Sequence, residues 1–258
     1  MKVWALTRWF LAVTVSVCAQ ESPIPSLGPL PQANTQQEFD DWLDLVGSSD
    51  PQGTVRLANE FLTQYPRSGF AARVYQAQML AYQQLDNYEA ALDAGRKALR
   101  LSPDNLHVLA ELANLVPHGV PPDKGDDPRL DEAEGYARRI LSRLLEQKIP
   151  RSLPIEEWKR IRLRLEMSAH SALGLVALAR AQHQPAIREL EWVTTQSSDA
   201  DGVQFLRLGS AYAMAKDFCS ASRAFERAST LGPEPVRQRA RQGMQNLASR
   251  LSGCASAR

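Results

Sequence analysis

Eight positions near the C-terminal end constrain the fold more than any other feature of the chain: Phe205, Leu208, Gly209, Tyr212, Ala221, Phe225, Ala228 and Pro233. Phe205, Leu208 and Tyr212 fall at i, i+3 and i+7, the spacing that lines one face of an α-helix. Ala221, Phe225 and Ala228 make a second stripe, small next to large, that interlocks with the first when two helices pack. Gly209 has no side chain to hold the second helix away. Pro233 ends that helix, because proline has no amide hydrogen for a further turn. The segment predicts two helices joined by a tight turn, and such a pair buries its faces only when neighbours of the same kind stack on it.

The pattern recurs upstream. Leu173 and Gly174 precede Leu208 and Gly209 by 35 residues, with His170, Ala177, Ala186, Leu190 and Val193 on the corresponding positions. A third copy has Tyr75, Met79 and Tyr82 on its first helix, Tyr88 at the turn, Ala91 and Ala98 on its second and Pro103 after it. A fourth is interrupted: Leu109, Leu112 and Ala113 supply one helix and Ala133, Ala137 and Ile140 the other. Between them lies PHGVPPDKGDDP, too rich in Pro, Gly and Asp to be helical. Ahead of these, Phe39, Trp42 and Leu43 are expected to face Leu57, Phe61 and Leu62 across a further pair. After Pro233, Val236, Ala240, Met244, Leu247 and Leu251 form one stripe, with Arg237, Arg239, Arg241 and Arg250 elsewhere, as a helix covering the last apolar face requires. Strand-type alternation and Asn-Gly hairpin signals do not occur, so the class is all-α.

Together with the ending ALRLSP at Ala98 to Pro103, these residues resemble the tetratricopeptide repeat family over residues 35–252. The resemblance implies a tetratricopeptide-like helix-pair solenoid, a right-handed superhelix of about five helix pairs plus a C-terminal capping helix. A loop at 117–129 would be inserted in it and a tail at 253–258 would follow. It also implies that the first helix of each pair lines a concave wall that holds a protein or peptide. Side chains expected on that wall are Arg73, Gln76, Leu80 and Gln83, then His107, Ala110, Glu111 and Asn114, then Val203, Leu206, Arg207 and Ser210. The mixture suits a helix or an extended peptide. Relatives that clamp a chain-terminal carboxylate use Lys and Asn on these faces; only Asn114 fits, with no lysine beside it, so that mode is not expected.

Residues 1–19 read as an export signal peptide. Lys2 and Arg8 flank its start, WFLAVTVSV is apolar but too short to span a bilayer, and Val17-Cys18-Ala19 offers a cleavage site. A lipid anchor on Cys18 is the competing reading, although Val17 stands where that signal takes Gly, Ala or Ser; an uncleaved anchor is another. No other segment is long and apolar enough to cross a membrane. Residues 20–34 form a Pro-rich flexible linker. The expected location is a bacterial periplasm, with a lipid-anchored or secreted protein as alternatives. Export leaves Cys219 and Cys254 as an even pair in an oxidising compartment. A capping helix antiparallel to the last repeat helix would return Cys254 toward Cys219, so a disulfide is expected.

The whole chain carries a formal charge of +1, and −1 without Lys2 and Arg8, with no block of like charge, so a nucleic-acid partner is not expected. His107, His118, His170 and His183 lack metal-ligand spacing, and Cys-x-x-Cys, Gly-x-Ser-x-Gly and P-loop patterns do not occur. Asp123, Asp126 and Asp127 lack the Gly and Glu of a calcium loop and read as a solvated turn. Lys159, Arg160, Arg162 and Arg164 alternate with Glu156, Glu157 and Glu166 as a salt-bridged, solvated helix face would. No catalytic residue, metal or cofactor is expected. The expectation is an exported scaffold or adaptor binding a protein or peptide partner in cell-envelope assembly or secretion. The alternative is an accessory enzyme or polysaccharide-pathway component that binds a small ligand under the 117–129 loop.

Overall fold

The computed structural model describes residues 31–121, 124–147, 153–196 and 201–251, and among them the chain forms eleven α-helices and no strand. The helices are α1 (Gln36–Gly47), α2 (Pro51–Gln64), α3 (Ala71–Gln84), α4 (Tyr88–Leu101), α5 (Leu106–Leu115), α6 (Pro128–Glu146), α7 (Ile155–Ala179), α8 (His183–Gln196), α9 (Gly202–Met214), α10 (Phe218–Leu231) and α11 (Glu234–Leu247). They pack in consecutive pairs, each second helix also meeting the first helix of the next pair. Among the described residues no helix is long and apolar enough to cross a membrane. Residues 1–30 and 252–258, and with them the signal-peptide and tail readings, lie outside the described residues.

Helix starts are set by side-chain caps. Thr35, Asp50, Asn87, Asn105, Asp127, Asp201 and Asp217 each accept a hydrogen bond from an amide of the first turn that follows, satisfying groups with no partner inside the helix. Three pairs close through one type of turn. Asp86, Ala181 and Lys216 sit at φ of 53°, 55° and 66°. The next amide reaches back across each turn: Asn87 N to Tyr82 O at 2.9 Å, Gln182 N to Ala177 O at 2.8 Å and Asp217 N to Tyr212 O at 3.0 Å. This is the Schellman closure, and Ala181 and Lys216 stand 35 residues apart, the period of the side-chain pattern.

Between α9 and α10 the predicted close approach is present. Phe225 is 2% exposed, and a Cβ on Gly209 would lie 2.5 Å from its ring; the far edge of the ring rests on Gly243 of α11, the helix that covers the last pair. In the first pair the buried stripe is Glu38, Trp42 and Leu45, with Trp42 stacked on Phe70 at 5.0 Å. Phe39 and Leu43, expected to face α2, are instead 39% and 47% exposed. The rotation follows from the helix start: Glu38 N donates to Thr35 Oγ1 at 3.1 Å and Glu38 Oε2 accepts from Asn34 N at 2.5 Å, which turns position 38 inward.

Two elements depart from the repeat. The 25-residue α7 belongs to two layers. Its N-terminal half places Trp158, Ile161 and Leu165 in one core with Ala137 and Ile140 of α6 and Leu109 of α5, and its C-terminal half packs on α8. The insertion begins with a 3-10 turn, Val116–Gly119, held by Tyr88: Gly119 N donates to Tyr88 Oη at 3.0 Å, and that hydroxyl lies 2.9 Å from the carbonyls of Leu115 and Val116. Val120 is buried in the adjoining core, and Gly125 lies against the backbone of Ala179 and Arg180. Asp127, read as part of a solvated turn, caps α6 and pairs with Arg129 at 2.7 Å; that guanidinium holds its carboxyl down at about 2.

Candidate functional site

First helices of neighbouring pairs meet at α1–α3, α5–α7, α7–α9 and α9–α11, and side-chain hydrogen bonds link α3 to the α5 segment, so that they line one wall. Across the α3–α5 junction, Asn105 Nδ2 donates to Gln76 Oε1 at 2.8 Å and Gln83 Nε2 donates to Glu111 Oε2 at 3.2 Å. Gln76, Gln83 and Glu111 thus lie at the α3–α5 junction, and part of their hydrogen-bonding capacity is spent between helices.

At the centre of the wall is an open depression of about 240 Å³ spanning α5, α7 and α9, lined by Ala110, Glu111, Asn114, Met167, Ser168, Ser171 and Gln204. Its floor is a polar relay. Asn114 Nδ2 lies 2.9 Å from Ser168 Oγ and 3.0 Å from the carbonyls of Ser168 and Ala110. Ser171, 2% exposed, donates from Oγ to Gln204 Oε1 at 3.1 Å and accepts from Arg207 Nη1 at 2.6 Å. Arg207 is half-buried, and burial pulls its guanidinium down to about 10, opposed by Asp201, so it stays charged at neutral pH.

The remaining expected wall residues are placed differently. Ser210 is 3% exposed and donates to the Leu206 carbonyl within α9, so it does not face a partner; Leu206 is buried with it. On α5, both ring nitrogens of His107 are buried without a hydrogen-bond partner, and burial lowers its pKa, with Glu111 opposing and Arg164 reinforcing that shift. Arg164 Nε is likewise buried without a partner, unlike the solvated face expected for that stretch, of which Lys159–Glu156 and Arg162–Glu166 do pair, each at 2.8 Å. Arg73 is half-buried on α3, and burial lowers its pKa. His170 is half-buried; its Nδ1 lies 2.6 Å from Glu189 Oε2 and its ring 4.0 Å from that of Trp192. Cys219, near the start of α10, is disulfide-bonded, while Cys254 lies outside the described residues.

Met167, Ser168, Ser171 and Gln204 were not among the expected wall residues. The signal for two of them was available: the 35-residue period carries Val203 and Leu206 back onto Ser168 and Ser171.

A larger depression of about 460 Å³ lies between α2, α3 and α4, with Tyr75, Tyr82 and Gln78 among its lining. Several of its polar groups are already matched to one another. Lys97 pairs with Asp93 at 2.7 Å and lies over the Tyr75 ring, and Gln78 Nε2 donates to Asn59 Oδ1 at 2.8 Å. No described residue of the insertion lines either depression.

The class that this architecture defines is an all-helical protein of stacked helix pairs with a polar depression on the wall of first helices. No protein-family model matches the sequence, and no curated protein matches it.

Proposed function

We propose that the chain is an exported scaffold or adaptor of the tetratricopeptide type, which holds a segment of another envelope protein along the wall formed by α3, α5, α7 and α9. The single observation that carries this reading is the depression on α5, α7 and α9, where three successive first helices present hydroxyl and amide groups, one of them, Ser171, held by the half-buried Arg207. Such a surface offers hydrogen bonds to a peptide main chain together with one charged anchor, the pattern by which grooves take extended segments. The leader-like residues 1–19 support export.

The test places a photo-crosslinking residue at Met167, on the rim, and separately at the exposed Gly135 of α6, in cells that export the protein. One dominant protein adduct at Met167 and none at Gly135 is the expected result. Equal adducts at both positions, or none at Met167 in correctly exported protein, would overturn the adaptor reading.

A further inference from the structure

The depression between α2, α3 and α4 shares no residue with the one on the wall. Tyr75 and Tyr82 both line it from α3, seven residues and so about 10 Å apart along the helix. Their counterparts on α9 are Phe205 and Tyr212: Asn87 N bonds Tyr82 O as Asp217 N bonds Tyr212 O, and Lys97 lies over the Tyr75 ring as Arg227 lies over that of Phe205. The two pairs differ at the second ring. Tyr212 Oη donates to Glu191 of α8, whereas the hydroxyls of Tyr75 and Tyr82 have no protein partner among the described residues and are not sealed off from solvent. Gln78 Nε2 and Asn59 Oδ1 are spent on each other at 2.8 Å, which leaves Gln78 Oε1 and Asn59 Nδ2, an acceptor and a donor, uncommitted. The charged groups of the lining, Lys97 and Asp93, pair at 2.7 Å, so the depression has no net charge.

These groups select a chemical class. An anion would find the one cation of the lining already neutralised, and a wholly apolar ligand would take water from hydroxyls and amides and return no hydrogen bond. A pyranose ring meets both demands: its C–H groups form an apolar face that packs on an aromatic ring, and its rim of hydroxyls both donates and accepts. The volume, about 460 Å³, lies within the range of about 300–1,000 Å³ common to small-molecule sites. We propose that the α2–α3–α4 depression binds a neutral saccharide about two sugar units long, the span set by the two tyrosines. The rings of Tyr75 and Tyr82 supply the apolar contact, and Asn59 Nδ2, Gln78 Oε1 and the Tyr82 hydroxyl bond the sugar hydroxyls. The site is separate from the wall proposed to hold another protein.

Saturation-transfer NMR on the purified full chain tests this with neutral di- to tetrasaccharides of glucose, galactose and N-acetylglucosamine, and with uronic-acid oligomers as the charged comparison. Binders are then titrated by calorimetry. The expected result is binding of at least one neutral series, weakened roughly fivefold or more by Asn59→Ala and by Tyr82→Phe, each of which removes one hydrogen-bonding group. Asn59 is exposed on α2 and Tyr82→Phe keeps the ring, so both variants retain the packing, which circular dichroism checks. Gly135→Ala, far from the depression in sequence and on α6, should leave the affinity unchanged. No saccharide bound, uronic-acid oligomers bound in preference to neutral ones, or an affinity that either substitution leaves unchanged overturns the site. None of these outcomes bears on the wall, whose own test is the crosslink at Met167.

Discussion

Replacing Gly209 by alanine adds one methyl group where α9 and α10 are closest. Built on the backbone, the new Cβ lies 2.5 Å from Phe225 Cδ1 and 2.6 Å from Cε1, against an ordinary carbon–carbon contact of about 3.5–4.0 Å. The ring has no room to retreat, because its other edge rests on Gly243 of α11. Two effects compete. Alanine is favoured over glycine in a helix interior by about 1 kcal/mol, while overpacking a filled core costs about 1–3 kcal/mol. An overlap of this depth against a ring held on both edges puts the cost in the upper part of that range, so the net expectation is a loss of about 1–2 kcal/mol. Gly135→Ala is the control: it lies in an exposed part of α6 with nothing within 4 Å of the added Cβ, and should gain about 0.5–1 kcal/mol. Urea unfolding followed by circular dichroism measures both, with hydrogen exchange locating the loss in α9 to α11, since stacked repeats need not unfold as one unit. In a Phe225→Leu background the penalty of Gly209→Ala should shrink, as the clashing ring is gone. A Gly209→Ala protein as stable as the parent, or a penalty undiminished once the ring at position 225 is removed, would refute the argument.

Ala181→Gly relieves a left-handed residue at φ 55° and should stabilise by about 0.5–1 kcal/mol in the same assay. The pH dependence of stability carries a histidine contribution. Burial depresses the folded pKa of His107 below its ordinary 6.5, so the unfolded chain takes up the proton first; stability is intact above that value and falls as pH drops below it. His107→Gln should therefore flatten the stability profile just below pH 6.5, whereas Glu132 and Glu134, held low by Arg96 and Arg180, act only below their ordinary 4.5. Cys219 should resist alkylation until reductant is added, and Cys219→Ser should cost about 3–4 kcal/mol for a loop closed with Cys254. Arg207→Glu, which loses the bond to the buried Ser171 and leaves an acid near Asp201, should lower the melting temperature as well as partner affinity, unlike a purely surface change.

The helix pairs were legible because their signals are local: the i, i+3, i+7 stripes and Gly209 act within one pair, and the 35-residue recurrence repeats them. What the sequence concealed depends on rotation and on length. Position 38 turns inward through hydrogen bonds at the helix start that hydrophobic spacing does not report, so Phe39 and Leu43 point outward. The candidate site was half legible. Glu111 and Asn114 lie where the register puts them; Ser168 and Ser171 were in reach of the 35-residue period, but Met167 and Gln204 were signalled by neither. The reach of Arg207 to Ser171 and the pull of Asp201 on it are properties of what surrounds it in three dimensions, and a charge written in a sequence carries no record of its neighbours.

The long α7 also bears on how the stack comes apart. At 1.5 Å per residue its 25 residues make a rod about 37 Å long. A repeat that touches only its neighbours can fray alone, but a rod shared by two layers cannot melt at one end without withdrawing the support of the other. Pairs three and four are therefore expected to open together as one cooperative block. The depression on α5, α7 and α9 is built largely on that block, so hydrogen exchange is expected to find its lining among the slowest-opening parts of the chain.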